Sequence, residues 1–210
     1  MDLLNEVSRL KSIAIVGGTF NPVHKGHIML GEFALKTLPF LDYVVYMPNN
    51  KPVYKDNGKI VSGYDRIKML ELALSNSKMT VSDMEIKRGG ITYTIDTLRL
   101  LKRYNSNIDI YLVIGGDSLV SFDSWKEYVE ILKISKLLVA KRRGSDYNLE
   151  KYEKKLKKVC DEAEIKYMDS PFFDISSTVL REQFSKGIYD TSLVPESVID
   201  YIRINGMYRN

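Results

Sequence analysis

Short apolar runs rich in branched residues alternate with amphipathic stretches along most of the chain. The apolar runs, which we interpret as strands, lie at residues 12–16, 43–47, 79–86, 108–114, 137–140 and 165–168. Helical patterns follow at residues 24–38, 62–77, 94–104, 124–133, 149–163, 177–186 and 195–205. Near-continuous apolar strands joined by helices are typical of a parallel sheet covered on both faces. The sequence therefore predicts an α/β fold: a single doubly wound, Rossmann-like domain with a mainly parallel sheet, closing with a C-terminal helical segment.

Serine residues followed three positions later by an acid mark the starts of two predicted helices. Ser62 precedes Asp65, and Ser124 precedes Glu127. In such a capping box the serine oxygen accepts a backbone N–H of the first turn, so we expect helices to begin there. The polar, irregular stretch at residues 48–61 is too long for a simple turn, and we interpret it as a functional loop.

Length and composition exclude several classes of protein. The 210 residues fit one large domain, and 44% apolar with 28% charged residues is typical of a globular chain. The net charge of +4 is small for a protein that binds nucleic-acid phosphates. The chain has one cysteine, no apolar run approaching ~18 residues and a start that lacks signal-peptide character. We therefore expect a cytoplasmic protein that does not engage a membrane.

The first ten residues are predicted to form an extension ahead of a domain that spans residues 11–210. Leu3, Val7 and Leu10 fall on one helical face, so the extension is expected to pack onto the domain or onto a neighbouring subunit. The sequence leaves both a monomer and a homo-oligomer open.

The run GGTFNPVHKGH at residues 17–27 follows the first predicted strand and opens the first long helix. Gly17 and Gly18 allow close approach of the backbone to a ligand, and a helix N-terminus attracts phosphate. His24 and His27 are the only histidines of the chain, and their spacing places both rings on one face of the first turn. We therefore predict a phosphate site. Zinc would need a nearby Cys or carboxylate ligand, and Cys160 is far along the chain, so no metal site is predicted.

A second motif, ISSTVLR at residues 175–181, stands near the other end of the chain. Ser177 and Thr178 occupy a predicted helix start, where hydroxyls and backbone N–H groups can hold phosphate oxygens. Arg181 follows one turn later as a forked donor for phosphate. Alone, this stretch is as typical of an ordinary capped helix, but with the first motif it would let two helix N-termini hold a triphosphate from two sides.

A third segment, GGDSLVSFDSW at residues 115–125, follows the strongest predicted strand. Gly115 and Asp117 at a strand end suit a ribose, because the carboxylate can accept from sugar hydroxyls where glycine permits close approach. Trp125 is the only tryptophan, and a large core side chain is the ordinary role for it. Its polar neighbours Ser124 and Lys126 favour a half-exposed stacking face instead.

These motifs carry a family resemblance. The H-x-G-H motif formed by His24 to His27 resembles the signature of a nucleotidyltransferase superfamily. Its pairing with I-S-S-T-x-x-R resembles the adenylyl-transferring branch. Together with ITYTIDTL at residues 91–98 and the tryptophan segment, the set is similar to bacterial nicotinate-nucleotide adenylyltransferases from about residue 11 to residue 208. The resemblance implies adenylyl transfer from ATP, as co-substrate, to nicotinate mononucleotide, with pyrophosphate released and Mg²⁺ carried by the ATP phosphates.

The resemblance also implies which residues form the site. The catalytic residues would be His24, His27 and Arg181. The residues implied for ATP are Gly17, Gly18, Thr19, Phe20, His24, His27, Gly115, Asp117, Arg142, Ile175, Ser177, Thr178 and Arg181. Those implied for the mononucleotide are Asn49, Lys51, Lys55, Thr92, Tyr93, Thr94, Trp125 and Lys126, with the tryptophan stacking on the pyridine ring.

The chain departs from the family pattern in three places. The family often has Asp where this chain has Asn21. A second-loop P-P-H-K and a later R-P-G are replaced, respectively, by Pro52-Val53-Tyr54-Lys55 and by Arg142-Arg143-Gly144. The second departure removes a histidine donor, so only Lys55 carries over from that family motif.

Other functions stay open at this stage. An enzyme of the same class could prefer nicotinamide mononucleotide or phosphopantetheine as acceptor, and a non-catalytic dinucleotide-binding module is a further alternative. The basic stretch at residues 141–158 invites a nucleic-acid partner, but Glu150 and Glu153 are interleaved and a solvated helix face explains it better. We therefore predict small-molecule substrates and no nucleic-acid partner.

Overall fold

A computed structural model describes residues 3–51, 60–142, 148–170 and 175–209. Within these residues, six strands form one parallel sheet in the order β3-β2-β1-β4-β5-β6. The strands are β1 (Ser12–Gly18), β2 (Tyr43–Pro48), β3 (Met79–Val81), β4 (Asp109–Gly115), β5 (Lys136–Arg142) and β6 (Ile165–Ser170). This strand order is that of a doubly wound sheet, and it confirms the α/β fold class that the alternating pattern predicts.

Helices cover both faces of the sheet. They are α1 (Leu3–Glu6), α2 (Lys25–Thr37), α3 (Gly63–Ala73), α4 (Met84–Arg88), α5 (Thr94–Tyr104), α6 (Gly116–Val120), α7 (Tyr128–Ile134), α8 (Leu149–Val159), α9 (Ser177–Ser185) and α10 (Glu196–Ile204), as far as the chain is described. The helix beginning at Thr94 and ending at Tyr104 has the predicted bounds. Among the described residues, no helix is both long and apolar enough to cross a membrane.

Strand β1 shows how the two faces are filled. Ala14 and Val16 belong to the core cluster under α2, α3, α9 and α10, whereas Ile13 and Ile15 belong to the cluster on the opposite face. Successive side chains of a strand point to opposite faces, so a continuous apolar run is what a sheet covered on both sides requires. The direction of winding reverses between β1 and β4, and ligands of such folds bind beyond the carboxyl ends of the strands at that point.

The N-terminal extension packs onto its own domain. Leu3 and Val7 are buried in the core cluster beneath α5. The side-chain amide of Asn105, just after α5, donates to the carbonyls of Val7 and Leu10, each at 2.9 Å. Of the two expected destinations, these contacts favour the domain itself.

Two predicted elements are wrong in part. The run at residues 79–86 is a strand only as far as Val81, because the Ser82 hydroxyl accepts the N–H of Met84 and a short helix begins there. The helix expected from Ser124 begins at Tyr128 instead. Glu127 has a left-handed backbone with φ 53°, and its carboxylate binds Arg99 rather than capping a helix.

The other predicted cap is confirmed. The backbone N–H of Asp65 donates to the Ser62 hydroxyl oxygen at 3.1 Å, and that hydroxyl donates to the Asp65 carboxylate at 2.6 Å. This pair fixes the start of α3, the helix that follows the long second loop.

Candidate active site

The loop after β1 brings an unusual backbone conformation next to the first motif. We call residues 19–23 loop 1. Phe20 has a left-handed φ of 50°, and its buried ring meets the His27 ring edge-on with centroids 5.0 Å apart. A Cβ on Gly18 would lie 2.9 Å from the Phe20 ring, whereas a Cβ on Gly17 would meet no atom within 4 Å. Gly18 is therefore required by packing, and Gly17 leaves open space at the strand end.

The two histidines form one unit at the start of α2. His24 is the N-cap residue and His27 the third residue of the helix, and they make a reciprocal capping box of side chains and backbone N–H groups. The backbone N–H of His24 donates to Nδ1 of His27 at 3.3 Å. The rings stack with centroids 3.6 Å apart. Because Nδ1 of His27 accepts, the hydrogen-bond pattern assigns the ring proton to Nε2, which makes that atom a donor.

Tyr46 anchors the helix that carries this pair. Its hydroxyl lies 3.1 Å from the His27 carbonyl and 2.9 Å from the Ile28 carbonyl. The close approach needs Gly31, because a Cβ there would collide with the Tyr46 hydroxyl. Burial raises the pKa of Tyr46 well above its ordinary value, so the hydroxyl stays protonated and able to donate.

The second motif meets the first at loop 1. The Ser177 hydroxyl donates to the Pro22 carbonyl at 3.2 Å, and Nη1 of Arg181 donates to the Asn21 carbonyl at 2.8 Å. Arg181 also donates through Nη2 to the Thr178 hydroxyl at 3.2 Å, and a Cβ on Gly26 would touch Ile175 at 3.8 Å. The N-termini of α2 and α9 are thus neighbours, as the sequence predicts for a site that holds phosphates.

The side chain of Asn21 ties loop 1 to two further segments. Its Oδ1 accepts the backbone N–H of Val61 at 3.2 Å and the hydroxyl of Tyr208 at 2.8 Å. Burial raises the pKa of Tyr208 even though Arg181 and Arg66 act in the opposite direction. Sequence reasoning singled out neither Tyr208 nor this role of Asn21, because no short motif contains both residues.

Arg66 is a further residue that sequence reasoning missed. It is only 2% exposed and lies on the buried face of α3 with Met69 and Leu70. Its guanidinium donates to backbone carbonyls of loop 1 and of the loop after β2. Burial lowers the pKa of Arg66, though an arginine remains protonated near neutral pH. One signal was available: an arginine at helical spacing from apolar core residues is out of place unless it serves a buried purpose.

The loop after β2 connects the two halves of the implied site. We call residues 49–61 loop 2, which is described at 49–51 and 60–61. The backbone N–H of Asn49 donates to the Gly18 carbonyl at 3.0 Å. The N–H of Asn50 donates to the Thr92 hydroxyl at 3.1 Å, and the N–H of Thr92 to the Lys51 carbonyl at 3.2 Å. The predicted mononucleotide residue Lys55 lies outside the described residues.

The tryptophan segment lies beside the N-terminus of α5. Trp125 is half-buried, with its ring centroid 5.1 Å from that of Phe122. The Lys126 ammonium stands 4.3 Å from the centroid of the Tyr93 ring and 3.9 Å from the Asp96 carboxylate. Thr94 begins α5 directly after Tyr93. The described residues implied for the mononucleotide, which exclude Lys55, therefore come from three neighbouring segments: the start of loop 2, the Thr92–Thr94 stretch and the tryptophan segment.

A buried hydrogen bond joins α5 to α4. The Thr97 hydroxyl donates to the Glu85 carboxylate at 2.6 Å, and both side chains are buried. Burial raises the pKa of Glu85 to about 7, although the hydrogen bond and Arg88 oppose that shift. The ionisation of Glu85 is thereby linked to the helix that carries the Thr92–Thr94 stretch at its start.

Strand pairing places the remaining predicted residues. Gly115 ends β4 next to β1, and the Asp117 carboxylate in the short helix α6 folds back over Gly115. Arg142 ends β5, one strand further from β1, and its side chain is not among those described. Across the described ranges, no three His, Cys, Asp or Glu side chains are placed to hold a metal ion.

Comparisons with known proteins identify the class of protein to which this chain belongs. The model of the Cytidylyltransferase-like family matches residues 15–183. A structure of the Plasmodium falciparum nicotinic acid mononucleotide adenylyltransferase complexed with NaAD matches with a TM-score of 0.75 and 19% identity, covering 94% of this chain and 97% of that one. At such identity the match shows the shared fold. The fold, the paired motifs and the family model together define a nucleotidyltransferase.

Relatives with similar sequences identify the family within this class. A probable nicotinate-nucleotide adenylyltransferase of Lactococcus lactis is 36% identical over 200 residues, which cover 95% of this chain and 96% of the relative. A relative of the same name from Borreliella afzelii is 39% identical over 197 residues, covering 93% and 96%. The chain belongs to the nicotinate-nucleotide adenylyltransferase family. The family resemblance drawn from the motifs is thereby confirmed.

Proposed function

We propose that this protein transfers the adenylyl group of ATP to nicotinate mononucleotide, giving nicotinate adenine dinucleotide and pyrophosphate. The observation that carries the proposal is the meeting of α2 and α9 at loop 1, where Ser177 and Arg181 bind the carbonyls of Pro22 and Asn21. Two helix N-termini, two stacked histidines and an arginine at one strand end suit a bound triphosphate. The names of the relatives support the choice of acceptor.

The reaction is an in-line displacement at the α-phosphorus of ATP. An oxygen of the mononucleotide phosphate forms the new P–O bond, and the bond to the pyrophosphate oxygen breaks. Both substrates are anions, so catalysis consists of holding them in line and stabilising negative charge. Nε2–H of His27 and the His24 ring stabilise charge on the α-phosphate and the departing oxygen. Ser177, Thr178 and Arg181 hold the β- and γ-phosphates.

The remaining contacts orient the nucleosides. The triphosphate is lined by Gly17, Gly18, Thr19 and Phe20. The ATP ribose faces Gly115 and Asp117. Arg142 is assigned to the nucleotide, and Ile175 packs against α2. Mg²⁺ arrives on the ATP phosphates, whose oxygens are ligands that the ion prefers. We infer no nucleic-acid partner, because the substrates are small molecules.

The acceptor side lies between loop 2 and the tryptophan segment. Half-buried Trp125 offers a ring face for the pyridine, and Lys126 with the Thr92–Thr94 stretch receives the nicotinate carboxylate. A positive side chain held beside Tyr93 favours the acid over the amide electrostatically. Asn49, Lys51 and Lys55 are assigned to the mononucleotide phosphate.

Steady-state rates with ATP and three acceptors test the proposal: nicotinate mononucleotide, nicotinamide mononucleotide and phosphopantetheine. We expect the highest kcat/KM with the nicotinate form and release of one pyrophosphate per dinucleotide. Trp125→Ala should raise the KM for the mononucleotide about tenfold or more, since stacking is worth ~1–3 kcal/mol per base, and leave the KM for ATP nearly unchanged. A higher kcat/KM with either other acceptor would overturn the proposed substrate, and the absence of transfer to all three would overturn the proposed reaction.

A further inference from the structure

Arg66 is a buried cation held by backbone oxygens. Within the described residues its guanidinium donates through Nη1 to the carbonyls of Thr19 at 3.0 Å and Asn49 at 2.8 Å. Nη2 donates to the Asn50 carbonyl at 3.5 Å and Nε to the Val61 carbonyl at 3.3 Å. Four of the five N–H donors of the guanidinium are used in this way, in the fixed directions of its planar fork.

The four acceptors belong to the two loops that carry the proposed substrates. Thr19 is in loop 1, which runs from the Gly17–Gly18 strand end to the histidines. Asn49 and Asn50 are in loop 2. The N–H of Asn49 donates to the Gly18 carbonyl on the proposed ATP side, and the N–H of Asn50 donates to the Thr92 hydroxyl on the proposed acceptor side. Val61, at the far end of loop 2, also bonds to loop 1 through its own N–H. Arg66 therefore lies at the junction between the ATP side and the acceptor side.

Burying a guanidinium at a core position is energetically unfavourable. Its neighbours on the buried face of α3, Met69 and Leu70, fill theirs with apolar side chains. Removing a charge from water carries a large desolvation cost, which the hydrogen bonds to carbonyls offset only in part. If packing were the only requirement at this position, an apolar residue of similar volume would suffice. The arginine is therefore explained by the hydrogen bonds of its guanidinium to the backbone carbonyls of the two loops.

We propose that Arg66 is a positioning residue that sets the spacing of loop 1 and loop 2, and so the alignment of the acceptor phosphate with the α-phosphorus of ATP. This inference rests on the proposed function. In-line attack needs the reacting atoms about 3–3.5 Å apart, and a displacement of about 1 Å far from the chemistry can cost about 10²-fold in rate. The fixed charge of Arg66 adds a positive field beneath two bound anions.

Two substitutions separate the fork from the charge. Arg66→Lys keeps the charge but replaces the planar fork with a compact ammonium, whereas Arg66→Met keeps most of the volume and loses both. Met69→Ala is the matched control, because it shortens a buried side chain one turn later on the same helix and leaves the hydrogen bonds of Arg66 to both loops in place. Turnover and both KM values are measured at a temperature at which all variants are folded by circular dichroism.

For Arg66→Met we expect kcat to fall about 10- to 100-fold, with each KM rising less than about fivefold, because misalignment affects the reaction more than it affects binding of either substrate. The kcat of Arg66→Lys should fall less than that of Arg66→Met but remain clearly below the kcat of the natural protein. Met69→Ala should retain kcat within about twofold. Equal kcat in Arg66→Met and Met69→Ala, or full activity in Arg66→Lys, would overturn the inference.

Amide hydrogen exchange of the substrate-free protein gives a readout that needs no activity. The N–H groups of Asn49, Asn50 and Val61 should exchange at least about tenfold faster in Arg66→Met than in Met69→Ala at matched global stability. If these amides respond as expected while the natural protein lacks adenylyl transfer, the proposed function fails and the loop-holding role of Arg66 stands without its catalytic consequence. If the natural protein is active and neither exchange nor kcat responds, the inference about Arg66 fails and the proposed function stands.

Discussion

The hydroxyl of Tyr208 donates a hydrogen bond to Oδ1 of Asn21 at 2.8 Å, which joins the closing segment of the chain to loop 1. The same oxygen accepts the N–H of Val61, and the neighbouring Asn21 carbonyl accepts from Arg181. One asparagine thereby collects contacts from loop 2, from α9 and from the segment after α10. Loop 1 owes its shape to these distant residues as much as to its own sequence.

Tyr208→Phe tests that dependence. Loss of the hydroxyl removes one buried hydrogen bond, worth about 1 kcal/mol or roughly fivefold, and loosens loop 1 at the proposed triphosphate site. We expect kcat/KM for ATP to fall by about that factor. Tyr104→Phe is the control, because Tyr104 is 53% exposed at the end of α5. Identical kinetics in the two variants would show that the Tyr208 hydroxyl does not shape the site.

His27→Ala should lower kcat by about 10²–10³, the typical loss for one donor to developing charge. Removing the ring also disturbs the capping box, so thermal unfolding is measured alongside turnover. His24→Asn supplies a sharper separation, because Asn is a favoured N-cap residue and can keep α2 capped while the ring is lost. We expect a smaller loss of thermal stability than in His27→Ala but strongly reduced kcat in that variant. Near-normal turnover in either variant would refute the catalytic assignment of the histidine concerned.

Gly17→Ala and Gly18→Ala form a matched pair. The added methyl group at Gly17 meets no protein atom within 4 Å, whereas at Gly18 it would lie 2.9 Å from the Phe20 ring, which contacts His27. We expect Gly17→Ala to leave the free energy of unfolding within about 0.5 kcal/mol but to raise the KM for ATP about tenfold, since forcing in a methyl group costs ~1–3 kcal/mol. Gly18→Ala should lower stability by that amount as well. Unchanged ATP kinetics in Gly17→Ala would place the triphosphate elsewhere.

Glu85 should make stability depend on pH. Its pKa is raised to about 7 in the folded protein against an ordinary 4.5, so folding favours the protonated form. The stabilisation is present below about pH 4.5 and is lost as the pH rises to about 7, a change of up to about 3 kcal/mol. Glu85→Gln cannot ionise and keeps an oxygen for Thr97. Denaturant unfolding from pH 5 to 8 should show the variant gaining relative to the natural protein as pH rises. A pH-independent difference would contradict this.

The sheet and most of the helices could be predicted because each rests on short-range patterns. The meeting of residues 17–27 with residues 175–181 was expected from the pairing of their motifs, although the contacting residues lie 155 and 160 positions apart. Branched apolar runs identify the strands, and the bounds of α5 follow from its helical periodicity. The helix predicted from Ser124 starts only at Tyr128, because the acid of its capping signature, Glu127, forms a tertiary ion pair with Arg99 instead. The strand predicted at residues 79–86 ends at Val81, since a short apolar run fits strand and helix alike.

The contacts that shape loop 1 could not be predicted, for a different reason. Arg66 and Tyr208 act across 47 and 187 positions of the chain, respectively, on Thr19 and Asn21. Their partners are backbone carbonyls or a single amide oxygen, which leave no complementary residue type in the sequence. Only the burial of an arginine among apolar residues of α3 signals such a role.

With the triphosphate at loop 1 as proposed, the anchoring of this loop by the segment after α10 links nucleotide binding to the stability of the carboxyl-terminal part of the chain. A fluctuation that frees Tyr208 and α10 would also remove one of the contacts that hold Asn21, so catalysis would decline at temperatures at which the sheet is still folded. Linkage makes the effect reciprocal: a nucleotide that holds loop 1 in place would shield the last helix from proteases without touching it.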